Sequence, residues 1–349
     1  MRVLPVVPPR SPSFQAVAED VCSVLRERGF EVLEPLWEAD AARMAEIDPD
    51  AVFIVMAFDT VWALGHFYMA YRAKADGRGY AFYTVVEGRV VRTPGSEWVF
   101  RELEFVAASN YVARKLREAG ARVRAVIHHG VDVGEIQAAR EGGLSLRRSL
   151  GFSGSDFVVG YFASDVARKG HPLFAEVART VAERDRSVKF LVLTGGTAPE
   201  HYKGLSNVLV VPRFGAVPRG GMWRYYHALD LYAQASLSEG FGLPALEALA
   251  AGKAVVHADF EPLTEITTPE TSFRVPVAEV RYEGDPTRLR CGILYEHHYY
   301  DPREFAQAIL EAKGEVLRRG RGLEKLCVRR AREFDKRKLY SAFAGLLSR

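Results

Sequence analysis

Cysteine is scarce in this chain of 349 residues: Cys22, Cys291 and Cys327 are far apart and odd in number, which fits neither a disulfide framework nor a CxxC metal knuckle. A reducing, cytoplasmic setting is the expectation. Charge of one sign is lacking too. The formal charge of +3 makes no case for nucleic acid at this length, and leaves room only for a loose, peripheral contact with the anionic inner face of a membrane. Prolines interrupt the N-terminal run Met1-Arg-Val-Leu-Pro before a signal-peptide core can form, so secretion is not expected. Long hydrophobic runs are missing as well. Ala51 to Tyr71 comes nearest, but Asp59 and His66 would sit in hydrocarbon at a cost of several kcal/mol, so it reads as a buried strand followed by a helix. Internal repeats and low-complexity segments are absent.

What is present is alternation. Val3 to Val7, Glu31 to Pro35, Ala51 to Ala57, Tyr80 to Val86, Phe105 to Ser109 and Val123 to His128 are short and apolar, while Phe14 to Arg28, Val61 to Ala75 and Asn110 to Glu118 are helical in pattern. Apolar runs with no polar side, set between helices, predict a parallel sheet covered on both faces. A polar stretch with Gly142, Gly143 and Gly151 as breakers predicts a hinge over 137–155. The alternation then restarts, with strands at Phe157 to Phe162, Val188 to Thr194, Val208 to Val211, Leu231 to Ala235 and Ala254 to His257. The expected organisation is an α/β chain of two Rossmann-like, doubly wound domains: 1–140, and 155–332, with a C-terminal helix over 333–349 packing back on the first. The basic stretch Arg318 to Lys338 reads as a solvated face.

The segment with the most chemistry is Ser238-Glu239-Gly240-Phe241-Gly242-Leu243-Pro244-Ala-Leu-Glu247, which joins a strand end to a helix through glycines. Gly240 and Gly242 admit backbone angles closed to other residues, and Pro244 suits a first helical turn. Exposed N–H groups at a helix start, with the positive end of the helix dipole, make a site for phosphate or diphosphate. A Glu247 in the first turn could accept two hydrogen bonds from a vicinal diol such as ribose, with Glu239 facing the same place. The plainer reading, in which Glu247 caps the helix and Glu239 is a solvated loop residue, stays open on these residues alone.

With its two glutamates seven residues apart around a Gly-Phe-Gly-Leu-Pro core, this segment resembles glycosyltransferase family 4, whose members are retaining enzymes of GT-B architecture, two Rossmann-like domains facing across a cleft. Val126-Ile-His-His-Gly-Val-Asp132 resembles the family's interdomain turn, and Val158 to Gly170 its first strand and loop in the C-terminal domain. Pro262-Leu-Thr-Glu265 and Gly292-Ile-Leu-Tyr-Glu296 fit its last turns. The resemblance implies catalytic roles for Glu239, at the reacting end of the donor sugar, and Lys169, on the donor diphosphate. The backbone of Gly240, Phe241, Gly242 and Leu243 would bind sugar and diphosphate, and Glu247 the ribose.

Departures accompany it. The arginine the family carries five or six residues before the lysine is replaced by Ala163 and Ser164, so Ser164 and Arg168 join the donor-binding candidates. Pro8-Pro-Arg10-Ser stands where a glycine pair is usual, and Met56 to Asp59 and Glu87 stand where histidines are usual, making Arg10, Asp59 and Glu87 the acceptor-side candidates. Asp48-Pro-Asp50 precedes its strand rather than following it, so it reads as a turn and not as a metal site. His128-His129 and His297-His298 have adjacent side chains on opposite faces and no evident third ligand. No metal and no cofactor are expected, and Thr194-Gly-Gly-Thr197 lacks the spacing of a dinucleotide fingerprint. The implied function is transfer of a sugar from a nucleoside diphosphate donor to a glycan, lipid or small-molecule acceptor. The alternative is a non-catalytic GT-B protein that binds sugar nucleotide, glycan or a partner chain.

Overall fold

A computed structural model describes residues 1–9, 11–284 and 292–348. Arg10 and Cys291 lie outside them. The chain divides into two compact units, Met1–Gly130 with Tyr282–Glu296 and Phe334–Arg349, and Val131–Arg281 with His297–Glu333.

In the first unit the strands are β1 (Arg2–Val6), β2 (Glu31–Val32), β3 (Ala51–Ala57), β4 (Gly79–Val85), β5 (Gly88–Val90), β6 (Glu104–Ala107) and β7 (Arg122–Val126). Its main sheet runs β2-β1-β3-β4-β6-β7, with every pair parallel. The apolar strand sequences follow from burial on both faces. Phe58, Phe67, Phe82 and Phe105 form an aromatic cluster on this sheet, with centroids 4.9 Å apart for Phe58 and Phe105 and 5.1 Å for Phe67 and Phe82. The last residues close the other face, where Phe343 meets Phe53 edge-on at 5.2 Å and the Tyr340 hydroxyl accepts from the Gly130 N–H at 2.8 Å.

The second unit holds β8 (Phe157–Phe162), β9 (Val188–Leu193), β10 (Val208–Val211), β11 (Leu231–Gln234), β12 (Val255–Ala258) and β13 (Ser272–Val275). Their order is β10-β9-β8-β11-β12-β13, again all parallel. Sequence order reverses between β8 and β11, and in such sheets ligands gather at the carboxyl ends of the strands flanking that reversal. A small sheet β14-β15-β5 completes the fold, with β14 at Glu279–Glu283 and β15 at Ile293–Tyr299.

Two boundaries differ from expectation. The division falls at Gly130/Val131 and not within 137–155, where helices Val133–Ala138 and Arg140–Ser149 stand instead. Gly142 and Gly143 lie inside the second helix rather than breaking it, and Gly143 is a close-packing residue, since its Cβ would lie 2.2 Å from that of His227. Gly292-Ile-Leu-Tyr-Glu296 belongs to the first unit, not the second, because β15 pairs antiparallel with β5 and the Gly292 N–H donates to Asp59 at 3.0 Å.

The C-terminal segment is tied in by an ion pair that is almost wholly buried, Lys336 Nζ to Asp20 Oδ1 at 2.9 Å. Removing one partner of such a pair leaves the other charge without compensation. Lys336→Met is therefore expected to lower stability by about 3 kcal/mol in urea unfolding. A second change, Asp20→Asn, should restore part of the loss, and equal stability of Lys336→Met and wild type would contradict the account.

Candidate functional site

At the carboxyl ends of β8 and β11, two loops meet. The first runs from Ala163 through a short 3-10 turn, Ala167–Lys169, to Gly170, which sits at φ 66°, an angle that favours glycine, and where a Cβ would come within 3.1 Å of the Ala235 carbonyl. The second runs from Ala235 to Gly242, at φ 100°, which starts the helix Leu243–Ala250. There a Cβ would meet Leu263 at 2.5 Å, so glycine answers both the angle and the space. The Leu237 N–H donates to the Arg168 carbonyl at 2.8 Å, and the His298 N–H donates to the Leu237 carbonyl at 2.7 Å. The loops are thereby fixed by backbone bonds.

This brings together the two residues singled out as catalytic. Lys169 Nζ donates to Glu239 Oε1, and the Arg168 guanidinium stands 4.0 Å from Glu239 Oε2. Gln234, the last residue of β11, donates from Nε2 to the same Oε1 at 2.8 Å. Glu239 is 6% exposed. Burial alone would raise its pKa, but Lys169 and Arg168 outweigh burial and hold the carboxyl below the ordinary glutamate value. The reading of Glu239 as a solvated loop residue is excluded.

Glu247 lies in the second turn of its helix and not the first, because the helix starts at Leu243. It is half-buried, and its Oε2 accepts from the Tyr226 hydroxyl at 2.7 Å. Tyr226 is itself packed against Phe162, Tyr232 and Trp223, so it gives the carboxylate a fixed donor. Gly240 to Leu243 form the turn between the glutamates. Ser164 contributes its carbonyl, which lies 3.1 Å from His171 Nε2. In the same loop, Asp165 accepts from the Thr197 N–H at 2.6 Å and its hydroxyl at 2.9 Å, which anchors the Thr194 to Thr197 turn.

The acceptor-side candidates are not gathered in this way. Asp59 is buried and accepts from the N–H groups of Val61 at 2.8 Å, Trp62 at 3.0 Å and Gly292 at 3.0 Å, so it organises backbone. Glu87 is half-buried, with its carbonyl accepting from the Glu296 N–H at 3.0 Å. Arg10 is outside the described residues. Asp48 and Asp50 are spent on the turn before β3, Asp48 pairing with Arg78 at 2.7 Å and Asp50 accepting from the Arg2 N–H at 2.6 Å. His129 bonds Tyr83 at 2.8 Å and is pushed down to about 3 by burial, and His298 stacks on Phe260 at 4.1 Å. Among the described residues no group of three or more histidine, cysteine, aspartate or glutamate side chains could hold a metal ion. No helix among them is long and apolar enough to cross a membrane.

Gln234 and Tyr226 escaped the sequence reading. A glutamine ending the apolar strand Leu-Tyr-Ala-Gln was the available signal for the first, whereas Tyr226 looks like any aromatic core residue of a helix.

Known proteins support a class for this site. Residues 145–277 match the family model described as "Glycosyl transferases group 1", which spans both loops. A protein of Sulfolobus islandicus rod-shaped virus 1, "Uncharacterized glycosyltransferase 335", is 23% identical over 341 residues, 95% of this chain and 96% of that one. The D-inositol 3-phosphate glycosyltransferase of Actinosynnema mirum is 33% identical over 147 residues, covering 38% of this chain and 34% of its own length. A solved glycosyltransferase from Rickettsia africae superimposes with a TM-score of 0.73 at 16% identity, over 99% of this chain and 97% of that one. Anabaena HepE superimposes in its complex with UDP-glucose with a TM-score of 0.72 at 16% identity, over 100% of this chain and 99% of that one, and in its complex with UDP with a TM-score of 0.71.

 The likeness to these structures establishes the fold, two Rossmann-like doubly wound units of GT-B type. The matched segment and the curated relatives are those of glycosyltransferases, and the fold is the one that GT-B glycosyltransferases share.

The Glu239 environment has a measurable consequence. A carboxyl whose folded pKa lies below its unfolded one contributes stability that is fully present above the unfolded value and is lost as pH falls through the folded one. The stability difference between wild type and Glu239→Gln in denaturant melts should therefore stay constant above about pH 5 and shift against wild type below it. A difference that does not vary with pH would show that Glu239 titrates as an ordinary glutamate.

Proposed function

We propose that the chain transfers a sugar from a nucleoside diphosphate donor to an acceptor hydroxyl, with retention at the anomeric carbon and without a metal ion. The observation that carries this reading is the meeting of Lys169 and Glu239 at the carboxyl ends of β8 and β11, beside the start of the helix Leu243–Ala250. A cation and a helix N-terminus suit a diphosphate, and a fixed carboxylate suits sugar hydroxyls. In the reaction the bond from the anomeric carbon to the diphosphate oxygen breaks, its electron pair leaving on the diphosphate. The acceptor oxygen bonds that carbon and gives up its proton. Lys169 and the helix N–H groups stabilise the leaving charge, Glu239 orients the sugar, and Glu247, held by Tyr226, receives the ribose. HepE, solved with UDP-glucose, makes uridine nucleotides the first donors to test.

Calorimetry with UDP and UDP-glucose, then with the other nucleoside diphosphates, tests the site. Lys169→Met and Glu247→Ala are each expected to weaken binding about tenfold to a hundredfold, the loss of one hydrogen bond involving a charged group. Absence of nucleotide binding by wild type across the panel would sink the donor assignment. Given a binding donor and an acceptor, turnover should survive EDTA, and proton NMR of the product should show the donor's anomeric configuration.

A further inference from the structure

Gln234 is 1% exposed, ends a buried strand, and spends its amide on a carboxylate. Its Nε2 donates to Glu239 Oε1 at 2.8 Å and to Ser236 Oγ at 3.0 Å, while its own Oε1 is buried with no hydrogen-bond partner among the described residues. An amide buried with half of its hydrogen-bonding capacity unmet is an unfavourable way to fill core, and an apolar side chain of the same shape would avoid the penalty. The arrangement is explained if the Nε2 bond to Glu239 is what the residue is for.

We propose that Gln234 is a positioning residue for Glu239, and that it keeps the carboxylate oriented and ionised when Lys169 turns to a bound diphosphate. The second half rests on the donor site proposed above. Lys169 and Gln234 donate to the same oxygen. A diphosphate competes for the lysine and adds negative charge nearby, and both effects favour protonation of a buried carboxyl. Gln234 is neutral, fixed in the strand and not drawn to phosphate, so its bond persists. The other groups facing Glu239 are Arg168, Ser236, Tyr161 from β8 and Tyr232 from β11. The two buried phenols are pushed up by burial, so they stay neutral at ordinary pH and leave Arg168, Ser236 and Gln234 to hold the carboxylate.

The test is a carbon NMR titration of the Glu239 carboxyl, assigned by its loss in Glu239→Gln, in wild type, Gln234→Met, Lys169→Met and the double variant. Gln234→Met is expected to raise the midpoint by about one pH unit, and by more when Lys169 is already methionine. Gln234→Asn, whose shorter amide falls short of Glu239, should give the same rise and guards against a packing effect of methionine. Saturating UDP should raise the midpoint further in Gln234→Met than in wild type. An unchanged midpoint on Gln234→Met in both lysine backgrounds would overturn the proposal. The titration of the variants needs no nucleotide, so its failure is distinguishable from a failure of UDP to bind.

Discussion

A carboxylate buried at the end of a parallel strand must find charge and hydrogen bonds to replace water, and much of the second unit is arranged around meeting that demand for Glu239. Leaving a buried charge unpaired costs on the order of 3 to 5 kcal/mol, comparable with a large share of a domain's net stability. Lys169 and Arg168 meet it from the loop after β8, and Gln234 from the end of β11. The glycines at 170 and 242 let those loops approach, and the backbone bonds of Leu237 hold them in register. Site geometry and loop stability are therefore one problem: a change that frees the carboxylate also loosens the joint between the loops.

The same arrangement sits at the reversal of strand order. Parallel strands carry their loops at the same edge, and at the reversal neighbouring helices lie on opposite faces, which leaves the space between the loops uncovered. Lys169 follows β8 and Glu239 follows β11, the pair flanking the reversal. Glu247 lies one step behind, tied through Tyr226 to the aromatic packing of that unit. In the first unit the carboxylates that resembled site residues are occupied otherwise: Asp59 gathers backbone N–H groups, including that of Gly292, and so holds β15 against its edge.

The amino-acid sequence by itself determined the fold class, because runs apolar on both faces can be satisfied only in covered parallel sheets, and it determined the glycine turn that starts the helix Leu243–Ala250, because glycine spacing and helix-start residues act locally. The resemblance to a known family pointed to Lys169 and Glu239, which the fold brings into contact. What only the tertiary structure decided depends on contacts distant in the chain. Gly143 looked like a breaker, since close packing against His227 is invisible along the sequence. The placement of 282–296 with the first unit follows from strand pairing to β5, and the tasks of Asp59, Tyr226 and Gln234 follow from neighbours brought by the fold. Local backbone preference and periodicity are written residue by residue, whereas the partner of a buried polar group is chosen by topology, and that is why the glycine turn was legible before folding and the bonds of its glutamates to Gln234 and Tyr226 were not.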